Sequence, residues 1–261
     1  MDSLLLYFDL ETTGLSKWND RIVQIGATAV LRKSTGITVR LGDFETFVKS
    51  TIDIQTNASR ITGITSKQLN TAPPIDKALS LWSKWLANLK RENELLAVPV
   101  TLIAYNGVNF DFPLLLMEMH RANIPSSIFF KTHNIGYLLD PYQWAKKHLN
   151  TEGLIRNAAG SYSFTLSNIY KSLTGMDLNN AHTALADTEG LELVCGKPEF
   201  AGMHYQFADH YCHEALTYCT DFIKLRRSTI GGNKKNHRQR VQTLYLMQTR
   251  KRKSPDEVHL E

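Results

Sequence analysis

The stretch "MDSLLLYFDLETTGL" (residues 1–15) turns from apolar to acidic at Asp9. Residues 4–8 form a short apolar run, and the Thr12-Thr13-Gly14 turn bounds it, which reads as a buried strand. Side chains alternate across a strand, so Asp9 and Glu11 share one face at its carboxyl end. Two carboxylates that close repel; one takes up a proton, or a cation neutralises both. Hard divalent ions such as Mg²⁺ or Mn²⁺ prefer carboxylate oxygens and answer that need. The alternative is a solvated edge, with both groups turned to water. This stretch alone leaves the two readings open.

Further along, residues 22–30 ("IVQIGATAV") read as a second strand, residues 38–41 as a third and 44–48 as a fourth, completing an antiparallel meander. Residues 61–65 ("ITGIT") read as a loop entering a short helix. Ile75, Leu79, Trp82, Leu86 and Leu89 recur at helical spacing, so residues 75–91 form an amphipathic helix with its tryptophans in the core. Residues 100–106 are again a strand ending at polar residues, followed by a helix over 111–123 with Pro113 in its first turn. A further strand is expected at 135–140, and helices at 141–149, 166–173 and 181–194, the last capped by Asn179 or Asn180. Strands first antiparallel, then alternating with helices, give an α/β fold: a mixed five-stranded sheet flanked by helices.

The composition sets bounds. A chain of 261 residues, 43% hydrophobic, supports one large domain or a domain with an extension. No run approaches the ~18 apolar residues of a membrane span, so no membrane association is expected. No secretory signal is visible, and Cys195, Cys212 and Cys219 form no CxxC pattern. An intracellular, reducing setting follows, nucleus or cytoplasm. Charge is uneven. Residues 224–261 hold eleven of the 30 basic residues and three of the 25 acidic ones, leaving 19 basic against 22 acidic in residues 1–223. A basic extension over 224–261 is therefore expected beside a domain over 1–223. It either binds polyanions or serves solubility alone.

Three more residues join the first pair. "YNGVNFD" places Asp111 where strand and loop give way to a helix, and "HTALAD" places His182 and Asp187 five apart at a helix start. In open α/β sheets, sites gather at the carboxyl ends of strands, where Asp9, Glu11, Asp111 and Asp187 can converge. Taken singly, each is ordinary: an aspartate at a helix start is usually a cap.

Taken in order, "FDLETTG", "YNGVNFD" and "HTALAD" resemble the three motifs of the DEDDh 3′→5′ exonucleases, which share a ribonuclease H-like fold. Within that superfamily, "DLETTGL", "ITGIT", "NFDFPLL", "YSFTLSNIYKSLTG" and "AHTALAD" look most similar to the TREX-type three-prime repair exonucleases. The resemblance implies that Asp9, Glu11, Asp111 and Asp187 hold two Mg²⁺ or Mn²⁺ ions and that His182 is the general base. The chemistry agrees: paired cations stabilise attacking and leaving oxygens, and imidazole titrates near neutrality. It also implies substrate contacts: backbone amides around Thr12 for the 3′-hydroxyl, Leu15 as a wedge on the terminal base, Ile61 on a neighbouring base, and Phe110. Phe110 stands where tyrosine is frequent and lacks its hydroxyl; Tyr105 stands where histidine is common.

The expected partner is nucleic acid with a free 3′ end, DNA favoured and single strands preferred, hydrolysed to nucleoside monophosphates. An RNA 3′→5′ exonuclease is the alternative within the superfamily, and a non-catalytic nucleic-acid-binding scaffold the alternative outside it. A homodimer follows from the resemblance only. Two remaining features are weaker. His204, His210, Cys212, His213 and Cys219 are zinc-type ligands, but their spacing fits an ordinary amphipathic helix over 204–219 better than a finger. "TRKRKSP" (249–255) resembles a nuclear-import signal.

Overall fold

The computed structural model describes residues 1–203, 205 and 212–230. Its first strand, β1 (Ser3–Thr12), is an inner strand of the sheet. Leu4, Leu5, Leu6, Tyr7 and Phe8 are all buried, as befits a strand covered on both faces. An antiparallel pair, β2 (Ile22–Arg32) and β3 (Thr38–Phe47), lies on one side of it. Two short helices follow, α1 (Thr56–Thr62) and α2 (Ser66–Leu69), then the long α3 (Ile75–Glu92). Next come β4 (Val100–Ile103), α4 (Asp111–Arg121), α5 (Ser126–Thr132), β5 (Ile135–Leu139) and α6 (Pro141–His148). The chain continues through α7 (Leu166–Thr174) and α8 (Ala184–Cys195) to β6 (Cys212–Glu214) and α9 (Ala215–Ile230). The sheet order is β3-β2-β1-β4-β5-β6, with β1, β4 and β5 parallel. The described residues divide into two units, residues 1–215 and a second that begins at residue 216.

The mixed α/β architecture is the expected one, with three local corrections. The sheet has six strands, because residues 212–214 extend antiparallel along β5 where a helix over 204–219 was expected. Cys212 is fully buried there, so burial and edge pairing override the helical spacing. The separate strands at 38–41 and 44–48 are one strand, β3, interrupted by a bulge. Ala29 pairs Gly42 and Val30 pairs Arg40, leaving Leu41 as the extra residue. Third, α8 begins at Ala184 rather than 181. Asn180 (φ 52°) and His182 (φ 72°) adopt left-handed backbone that no helix continues through. His204, His210 and the segment 249–255 lie outside the described residues, as does most of the basic extension.

Register along β1 decides what each helix layer meets. Leu4, Leu6 and Phe8 face α3 and α4: Phe8 stacks on Trp82 (ring centroids 5.9 Å) and on Phe112 (6.0 Å). Leu5 and Tyr7 point the other way, into a core shared with Leu191 and Val194 of α8. Asp9 and Glu11 continue that second face, so the alternation of a single strand carries both carboxylates to the α8 side.

Trp82 is fully buried at the centre of the first layer, against Phe8 and Phe129. Trp82→Ala is expected to cost about 3–5 kcal/mol, read as a lowered urea midpoint at unchanged m-value; an unchanged midpoint would place the core elsewhere.

Candidate active site

Three parallel strands deliver their carboxyl ends to one edge of the sheet. Asp9 and Glu11 close β1, the loop after β4 leads into Asp111, and Asp140 follows β5. From the helix layer on the face that Asp9 and Glu11 share, the first turn of α8 brings Asp187. A carboxylate oxygen from each of Asp9, Glu11 and Asp187 lies within 4.8 Å of the others, the one such grouping among the described residues. A cleft of about 370 Å³ opens over them, lined also by Leu15, Tyr105, Asn106, Phe110, Asp111 and His182. The donor set is all oxygen and half-buried to buried, which fits a hard divalent cation.

Burial and mutual repulsion act together on these groups. Asp9 is pushed well above the ordinary carboxylate range, first by burial and then by the charges of Asp111, Asp187 and Glu11. Glu11 rises to about 8, chiefly by burial, with Asp187 and Asp111 adding to it. Asp111 likewise rises to about 8, and burial again leads. Asp187 is raised less freely: burial lifts it, while the His182 backbone N–H, 2.9 Å from its Oδ2, favours its charged form. That hydrogen bond is made possible by the left-handed backbone at His182, which turns its N–H inward and leaves the residue exposed at the cleft.

The loop presenting Leu15 is wired in place. Asp20, buried, accepts from Thr13 Oγ1 (2.9 Å), the Ser16 backbone N–H (2.7 Å) and Gln55 Nε2 (3.1 Å). Arg121, at the end of α4, donates to the carbonyls of Asp20 (3.1 Å) and Trp18. Lys17 Nζ reaches the Asn109 carbonyl (3.0 Å), tying this loop to the one before Asp111. On this frame Leu15 stands 90% exposed at the mouth of the cleft.

Of the residues singled out by sequence, Asp9, Glu11, Asp111, His182, Asp187, Leu15 and Phe110 meet at the cleft. Thr12 is buried behind it, its hydroxyl donating to the Gly14 carbonyl (2.6 Å). Ile61 sits half-exposed on α1, outside the lining, although Gln55 at the start of that helix donates its backbone N–H to Thr13 (2.9 Å). Asp140 lies outside the motifs that the sequence singles out. It is fully buried, pushed up to about 7 mainly by burial, and accepts the backbone N–H groups of Asn106 (2.8 Å), Val108 (3.2 Å) and Tyr142 (3.1 Å). It thereby fixes the loop that leads to Asp111. An aspartate before Pro141 is a helix-cap signal, but its second duty on that loop is not visible locally.

Comparison with known proteins agrees with this geometry. Residues 6–191 match the exonuclease family model (RNase_T). Exonuclease DPD1, chloroplastic/mitochondrial, of Arabidopsis thaliana is 29% identical over 193 residues, covering 72% of this chain and 54% of that protein. The PolC-type DNA polymerase III of Caldanaerobacter subterraneus subsp. tengcongensis is 33% identical over 124 residues, covering 48% of this chain and 8% of the polymerase. Among solved structures, E. coli exonuclease I in complex with a dT13 oligonucleotide superposes with a TM-score of 0.55 at 25% identity, over 74% of this chain and 41% of that one. The chain thus spans well under two thirds of each of these relatives. With its family match across all three acidic motifs and its carboxylates gathered at one sheet edge, the chain belongs to the DEDDh exonuclease family.

Proposed function

We propose that the protein is a metal-dependent 3′→5′ exonuclease that hydrolyses DNA, single strands preferred, to nucleoside monophosphates. The observation that carries this reading is the convergence of Asp9, Glu11 and Asp187 within 4.8 Å, beside buried Asp111. So many carboxylates confined together are costly without a cation, which argues against a mere scaffold. The similarity to E. coli exonuclease I, solved in complex with a dT13 oligonucleotide, supports DNA as the substrate class. The likeness of several segments to TREX-type enzymes supports a repair-type trimming role, and a homodimer rests on that likeness alone. Cys195, Cys212 and Cys219 are buried and odd in number, in keeping with a reducing compartment. No helix among the described residues is long and apolar enough to cross a membrane.

Two Mg²⁺ or Mn²⁺ ions, when bound, supply a polarised water and charge stabilisation for the phosphate. Asp9, Glu11, Asp111 and Asp187 hold them. His182, exposed at the cleft, takes the proton from the attacking water. The water oxygen bonds to phosphorus, the bond to the neighbouring nucleotide's 3′-oxygen breaks, and a nucleoside 5′-monophosphate leaves. Leu15 packs on the terminal base, which removes its apolar surface from water. Phe110 offers a ring for stacking, Ile61 an apolar contact further out, and the backbone at Thr12 binds the 3′-hydroxyl. The basic extension over 224–261 adds sequence-independent affinity for phosphates.

Asp9→Asn is expected to abolish stepwise shortening of a 5′-labelled DNA oligonucleotide in Mg²⁺, and His182→Ala to lower kcat by about 10²–10⁴-fold. A wild type as inert as Asp9→Asn would leave the scaffold reading standing, and faster loss of a matched RNA would move the substrate to RNA. Metal removal has its own signature. The folded state binds more protons than the unfolded state between the ordinary carboxylate pKa near ~4 and the raised values. Stability in EDTA therefore falls as pH rises through about 8, the value to which Glu11 and Asp111 are pushed. Melting curves from pH 5 to 8 should show this decline in EDTA and its loss in Mg²⁺.

A further inference from the structure

The cross-strand partners of the two carboxylates on β1 are Gln24, opposite Glu11, and Gly26, opposite Asp9; Thr28 follows, opposite Tyr7. Directly opposed residues share a face, so this stripe of β2 points at α8 along with the carboxylates. Each member meets the helix differently. A Cβ on Gly26 would lie 2.4 Å from the Ala184 carbonyl carbon and 2.6 Å from the Leu185 nitrogen, so backbone approaches backbone there. Thr28 Oγ1 and Thr188 Oγ1 share a buried hydrogen bond of 2.9 Å. Gln24, itself buried, accepts the Ala184 backbone N–H at Oε1 (3.2 Å) and donates from Nε2 to Glu45 Oε1 (3.0 Å).

The Thr183 side chain makes no cap hydrogen bond at this helix start. The first N–H of α8 is an orphan donor that helices ordinarily satisfy with their own N-cap, and here a neighbouring strand supplies the acceptor. The Glu45 contact holds the amide with its oxygen toward the helix. Ala184 lies one turn before Asp187, and the same turn follows His182. The first turn of α8 is thus fixed from β2, opposite the carboxylates it must meet.

We propose that Gln24 is a positioning residue for the metal site: by capping α8 from β2, it sets the distance of Asp187 from Asp9 and Glu11. The inference rests on the metal-binding reading above and adds the residue that makes the cluster tight. Residues that orient ligands without touching the metal commonly matter 10–100-fold for affinity.

Calorimetric titration of the full chain with Mn²⁺ tests it, using Gln24→Met, wild type and Thr28→Val. Thr28→Val breaks the hydrogen bond one turn further along the same helix and serves as a control for packing alone. Gln24→Met is expected to weaken Mn²⁺ binding by about 10–100-fold, while Thr28→Val lowers Tm and leaves the Mn²⁺ affinity at the wild-type value. A Gln24→Met protein with lowered Tm and undiminished affinity would overturn the proposal, as would an equal loss in Thr28→Val. Should Gln24→Met fail to fold, Gln24→Asn keeps the amide but falls a methylene short of Ala184, and its affinity decides on the same terms. Wild type that takes up no Mn²⁺ would overturn the metal reading itself, and the role of Gln24 with it.

Discussion

Repulsion among Asp9, Glu11, Asp111 and Asp187 is the force that the rest of the molecule is arranged to contain. Burial lifts each of these groups, and most are lifted further by their neighbours' charge. Left to itself, such a cluster would spread apart or take up protons. The sheet denies it the first option. Asp9 and Glu11 are fixed by the centre strand, whose apolar half is buried on both faces. Asp111 is fixed by a loop hung from Asp140, and Asp187 by a helix whose start is held against β2 at Gly26 and Gln24. A site held this rigidly is preorganised for positive charge, and preorganisation is where an electrostatic catalyst gains most.

Much of this was legible in the sequence because the information is local. The apolar run 4–8 followed by Asp9 and Glu11 specifies strand, face and chemistry within a few residues. The helices at 75–92 and 111–121 follow from apolar spacing and from the first-turn proline. The parts that were not legible depend on partners far along the chain. Gln24 and Gly26 look like unremarkable strand residues until α8 is laid over them, some 160 positions later. The helix α8 starts three residues later than the sequence suggests, because the left-handed backbone at Asn180 and His182 cannot continue a helix. The strand at 212–214 exists only because β5 offers an unpaired edge, and the spacing of histidine and cysteine there gave no hint of it.

The same division applies to the substrate-facing residues. Leu15 is apolar and 90% exposed, on a loop secured by Asp20 and Arg121 at the mouth of the cleft. Its exposure needed the structure; the turn that carries it did not. Ile61 and Thr12 stand near but not in the cleft, so any contact they make depends on where a bound strand leaves it.

Anomalous diffraction from crystals soaked in Mn²⁺ addresses the central claim most directly. The account predicts strong Mn²⁺ density bounded by the carboxylates of Asp9, Glu11 and Asp187, lost in Asp9→Asn. Density confined to other surfaces, or none in a well-soaked crystal, would contradict it.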